Sequence, residues 1–140
     1  MRAVDCQGLG GGFTLGMRQA GFEIVSKHEQ PGGFGFPQVE ANRHLLGDFP
    51  LDDAPPPEWG VSEAEVCFGC PPCSGFSMLS IRAGGRDMRG IDAAINHCMW
   101  DFWDHVARGN PWVAAMESVS AAGKAAQRSP AAGAGATRRR

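Results

Sequence analysis

The opening of the chain constrains its fold more than any other stretch. Met1-Arg2-Ala3-Val4-Asp5-Cys6 is short and apolar at its centre, which predicts a strand. Gln7-Gly8-Leu9-Gly10-Gly11-Gly12 turns the chain, and Phe13 to Ala20 has the apolar spacing of a helix. Strand, glycine-rich turn and helix, in that order, open a nucleotide-binding βαβ unit, because glycine permits positive φ and lets the backbone approach a ligand at a helix N-terminus. A strict G-x-G-x-x-G is absent, and a purely structural turn would have a similar composition. Glu23 to Lys27 reads as the second strand. Glu29, just past its end, is either an acceptor for the ribose hydroxyls of a nucleoside-like cofactor or a solvated loop carboxylate.

A second constraint lies at Gly69-Cys70-Pro71-Pro72-Cys73-Ser74-Gly75-Phe76-Ser77. Ala64 to Gly69 has the look of a buried strand near its end, and the two prolines stiffen the exit, which presents Cys73 at a fixed position as a nucleophile requires. Between these landmarks, residues 31–37 read as a loop, Val39 to Leu46 as a short helix ended by Gly47, and Pro55-Pro56-Pro57 as a stiff linker. Arg82, Arg86 and Arg89 punctuate a glycine-rich segment that is either a phosphate contact or an ordinary solvated loop. Residues 91, 94, 95, 98, 99, 102, 103 and 106 form the apolar face of a helix, on which Trp100 and Trp103 read as core rather than as a base-stacking platform. Gly109-Asn110-Pro111 stops that helix, and Trp112 to Met116 predicts a further strand that delivers Glu117 at its end. Ligands of open α/β sheets bind at the carboxyl ends of strands, so Glu29, Cys73 and Glu117 fall on one edge.

Composition bounds the rest. The length suits one core, and the net charge of −2 supplies no general attraction for nucleic acid, so any such affinity must be local. No apolar run is long enough to span a membrane and no secretory signal is seen, which predicts a cytoplasmic protein without membrane contact. Five cysteines, three of them at 67, 70 and 73, call for a metal hypothesis, but position 77 is Ser and no second Cys or His pair is present. The expectation is therefore no metal, with Cys67 and Cys70 in buried structural roles. From Ala121 the sequence turns to Ala, Gly, Ser and Pro and reads as disordered.

Pro71-Pro72-Cys73-Ser74-Gly75-Phe76-Ser77 resembles the Pro-Cys nucleophile motif of the DNA (cytosine-5) methyltransferases, with Ser74 in place of the usual Gln. Gly10-Gly11-Gly12-Phe13-Thr14-Leu15-Gly16 through Gln19-Ala20-Gly21-Phe22 is similar to the first S-adenosylmethionine motif of that family, with Gln7 replacing a Phe. Glu117-Ser118-Val119 resembles its Glu-Asn-Val motif. The resemblance covers about residues 3 to 120, the N-terminal half of a complete enzyme, and implies a Rossmann-like α/β sheet that is incomplete, a catalytic domain over 1–120 and a low-complexity tail over 121–140. It implies Cys73 and Glu117 as catalytic residues, and Gly8, Gly10, Gly11, Gly12, Glu29, Asp48 and Pro72 around S-adenosyl-L-methionine. Asp52 and Asp53 compete with Asp48 for the adenine amino group. Ser74, Arg82, Arg86 and Arg89 are the implied contacts to double-stranded DNA with a flipped cytosine. A second polypeptide would supply the missing half. Two rival readings remain: an S-adenosylmethionine- or nucleotide-binding fragment without catalysis, and a Cys-cluster metal protein.

Overall fold

In the computed structural model, residues 1–29, 35–52, 64–76 and 96–122 are described. The chain divides into two compact units, Met1–Pro71 with Cys98–Glu117, and Pro72–His97 with Ser118–Arg140. The first unit is an α/β layer structure compatible with a Rossmann-like fold. Its strands are β1 (Arg2–Cys6), β2 (Glu23–His28), β3 (Leu51–Asp52), β4 (Val66–Gly69) and β5 (Val113–Met116), in the order β3-β2-β1-β4-β5, with every pairing parallel. Its helices are α1 (Gly12–Gln19), α2 (Gly35–Ala41), α3 (Arg43–Leu46) and α4 (His97–Gly109), the last beginning one residue before the unit does.

Alternation along the strands decides which helix covers which face. Ala3, Ile24, Val66 and Phe68 point to one side, where they pack with Val39, Leu46 and Phe49 and against Phe13, Leu15 and Met17 of α1. Val4, Cys6 and Cys67 point to the other, where Phe102 and Val106 of α4 cover them. Helix α1 ends in a Schellman arrangement: Gly21, at φ 89°, donates to Arg18 O, and Phe22 N donates to Met17 O. β1 and β2 pair with a bulge. Ala3 stands beside Ile24, but Val4 stands beside Ser26, so Asp5 meets Lys27 instead of Ser26.

Three sequence expectations need correction. Residues 35–37 are helical, not loop, because α2 begins at Gly35 and accommodates Pro37 in its first turn, where a missing N–H leaves no intrahelical bond unmade. The predicted single helix over 39–46 is split at Asn42, and β3 lies beyond it. Trp100 and Trp103 are 36% and 44% exposed, because the buried stripe of α4 runs through Cys98, Phe102, His105 and Gly109 and passes beside them. The segments around Arg82, Arg86 and Arg89, the Pro55–Pro57 linker, Asp53 and the tail from 123 lie outside the described residues. Among the described residues, no helix is long and apolar enough to cross a membrane.

Candidate functional site

The glycine turn is built by backbone geometry that most side chains resist. Gln7 and Leu9 have φ of 63° and 51°, and Gly11 has 92°, where the strain would fall on any L residue. Gly11 is also closed in by Leu46, which an added Cβ would strike. Gln7 N donates to His28 O at 2.6 Å and Gln7 O accepts from Cys70 N at 3.3 Å, so the start of the turn is tied to the ends of β2 and β4. Leu15 N reaches back to Gly11 O, and the first turn of α1 has no side-chain cap. Its amide N–H groups are therefore left for water or a ligand.

An open cavity of ≈ 380 Å³ lies over this turn, lined by Gly8, Leu9, Gly10, Gly12, Phe13, Cys70 and Glu117. Its size falls in the range of small-molecule sites. Glu117 follows β5 directly, and its N–H donates to Gly69 O at 2.9 Å, which fixes the strand end beside β4. The Cys70 thiol donates to Glu117 Oε2 at 2.8 Å. Cys70 is half-buried, not core as the sequence predicts, because the chain leaves the sheet one residue earlier, at Gly69. Gly69 itself lies flat against the Cys6 carbonyl and the Phe102 ring, where no side chain fits. Cys6 and Cys67 are buried 3.7 Å apart, and the Cys67 thiol together with burial pushes the Cys6 thiol well up, which makes it a poor nucleophile.

Beneath the turn is a buried charge cluster that the sequence reading missed. Lys27 Nζ lies 2.7 Å from Asp5 Oδ2 and 2.7 Å from Glu29 Oε1, with Lys27 and Asp5 fully buried. Thr14 Oγ1 and the Gly8 N–H also donate to Asp5, and the Leu9 N–H donates to Glu29. Burial raises both carboxyls above their ordinary values, with Lys27 acting in the opposite sense on each. Glu29 is 5% exposed, so it is not a solvated loop carboxylate. Lys27 next to the end of β2, with Asp5 next to the end of β1 and Glu29 just past β2, is the signal that could have exposed the cluster.

The predicted residues are thus only partly brought together. Gly8, Gly10, Gly12 and Glu117 share one cavity, Gly11 caps the helix beneath it, and Glu29 lies in the buried cluster. Asp48 is exposed on a different surface, where it lines hollows with Arg18 and Phe22 and with Glu40 and His44, and its carboxylate is 3.9 Å from Arg43 Nη1. Pro72, Cys73 and Ser74 belong to the second unit. There Cys73 is half-buried, and its carbonyl accepts from Phe76 N at 3.0 Å to close a 3₁₀ turn over Ser74–Phe76. Gly75 in that turn is packed on the Asn96 amide, which excludes a side chain. Among the described residues, no three His, Cys, Asp or Glu side chains converge as a metal site. No protein family model matches the chain, and no curated protein matches it.

Proposed function

We propose that the chain is the N-terminal catalytic part of a DNA (cytosine-5) methyltransferase that binds S-adenosyl-L-methionine over the Gly8–Gly12 turn. The observation that supports it best is the cavity at the carboxyl ends of β1, β4 and β5, where the glycine turn, the start of α1 and the Glu117 carboxylate face one space. The uncapped N–H groups of α1 suit the anionic end of an amino-acid moiety, while Leu9 and Phe13 offer apolar contact. The cofactor, when bound, supplies an electrophilic methyl group. Cys73 adds as thiolate to C6 of a cytosine flipped from the duplex, and Glu117 hydrogen-bonds or protonates N3, which makes C5 nucleophilic. After methyl transfer C5 loses its proton and the Cys73 sulfur leaves C6, giving 5-methylcytosine. Ser74, Arg82, Arg86 and Arg89 contact the DNA.

The test is covalent capture on duplex DNA containing 5-fluorocytosine, whose C5 substituent cannot leave. With a net charge of −2 and few grouped arginines, the chain alone holds duplex weakly and transfers little. A second polypeptide carrying the remaining strands and a target-recognition segment restores capture, and Cys73→Ala abolishes it. Capture that survives Cys73→Ala overturns the assignment. A second reading, a cofactor-binding module without transfer, draws on the fact that the cavity is built wholly within the first unit and does not use Cys73. Cofactor binding with no capture under any pairing supports that reading.

A further inference from the structure

Cys70 and Glu117 both line the open cavity, and the thiol donates to Glu117 Oε2 at 2.8 Å. Backbone bonds hold each partner in place: Cys70 N donates to Gln7 O at 3.3 Å, and Glu117 N to Gly69 O at 2.9 Å. The attacking form of a cysteine is the thiolate, so a carboxylate that already accepts the thiol hydrogen is a base within reach. The cavity, at ≈ 380 Å³, gives a small reagent room to stand against the sulfur. Methyl transfer uses Cys73 and leaves the Cys70 sulfur idle. Charge decides which reagent suits the place. Among the described residues that line the cavity, Glu117 alone carries a formal charge, and it touches the sulfur. The N-terminus of α1 opposes it with only about half a unit of positive charge.

We propose that Cys70, Glu117 and this cavity form a site of reversible S-thiolation that selects small disulfides carrying an ammonium group. The thiol gives its proton to Glu117, and the sulfur attacks one sulfur of the disulfide. The reagent's S–S bond breaks, a new one joins Cys70 to half of the reagent, and the departing thiolate takes up the proton. The reagent is itself the oxidant, since its leaving half is reduced to a thiol as Cys70 is oxidised. The attached group then fills the space beside Gly8–Gly12 and takes the thiol hydrogen from Glu117, which closes the cavity to S-adenosyl-L-methionine. That closure rests on the cofactor reading above, whereas the thiolation does not.

The experiment treats the reduced full chain at low salt with cystamine, 2-hydroxyethyl disulfide or 3,3′-dithiodipropionate, which are cationic, neutral and anionic. Peptide mass spectrometry after timed acid quenching reads the mixed disulfide at Cys70. Cystamine should react fastest and dithiodipropionate slowest, with about fivefold or more between them beyond the ratio seen for the same chain in urea. Glu117→Gln should remove that excess. No excess in the folded wild type, or an excess that survives Glu117→Gln, overturns the proposal. Calorimetry then compares S-adenosyl-L-methionine binding before thiolation, after it, and after release with dithiothreitol. Binding should be lost and regained, and equal binding throughout overturns the closure. Binding by none of the three sinks the cofactor reading, while the order of rates still decides the thiolation site.

Discussion

Cys70 Sγ lies 2.8 Å from Glu117 Oε2, so the residues that follow β4 and β5 are joined across the mouth of the cavity by a thiol–carboxylate hydrogen bond. A carboxylate held in this way has one oxygen engaged and the other turned to solvent or ligand. The contact also places a second half-buried thiol close to Cys73 in sequence, which makes the two worth separating experimentally.

Cys70 and Cys73 should react with iodoacetamide in the folded chain, whereas Cys6, Cys67 and Cys98 should react only after unfolding, because the first two are half-buried and the last three buried. Peptide mass spectrometry after timed labelling reads the order. Early labelling of Cys67 would contradict the burial of β4.

Asp5→Asn should destabilise the chain by about 3–5 kcal/mol, the cost of breaking a buried ion pair from one side. Thr14→Val should cost less, about 1–3 kcal/mol, since it removes one donor to the same carboxylate. Urea denaturation of the two variants gives the ranking.

Gly69→Ala should fail to fold or lose more than about 3 kcal/mol, since the added Cβ meets backbone rather than a movable side chain. Gly12→Ala is the contrast. Nothing lies near its Cβ position, the residue is helical, and the substitution should stabilise the free chain by about 0.5–1 kcal/mol. Because Gly12 lines the cavity, the same change should weaken the cofactor binding proposed above; calorimetry measures both effects.

His105 introduces a pH dependence whose sign follows from its surroundings. Burial, and then the Arg108 guanidinium, which donates to Nδ1 at 2.7 Å, lower its pKa in the folded state. The unfolded chain therefore takes up the proton first. The stability contributed by neutral His105 is complete above about pH 6.5 and is lost as pH falls through the folded value. Thermal melts across that window should show the loss, and His105→Gln should flatten it.

Much of the sheet was legible from apolar runs bounded by glycine and proline. The strands expected over 1–6, 23–27, 64–69 and 112–116 correspond to β1, β2, β4 and β5 within a residue or two. β3, with two residues, has no pattern long enough to read. Of Glu29, Cys73 and Glu117, which the rule that ligands meet the carboxyl ends of strands put on one edge, Glu117 lines the cavity, whereas Glu29 is in the buried cluster and Cys73 belongs to the second unit. The Asp5–Lys27 pair could not be read, since it depends on a bulge that shifts β2 by one residue and that no alternation of apolar and polar residues announces. Asp48 depends on the path of α3 and the chain after it, which the sequence leaves open.

β5 closes the order of strands, and next to its start Trp112 and Val113 are 74% and 51% exposed. A rim strand of this kind, with bulky apolar side chains in water, offers other molecules both hydrogen-bonding groups and an oily surface. The practical result concerns handling: how this chain behaves will depend on how much of it is in the tube, and light scattering over a dilution series should accompany every measurement made on it.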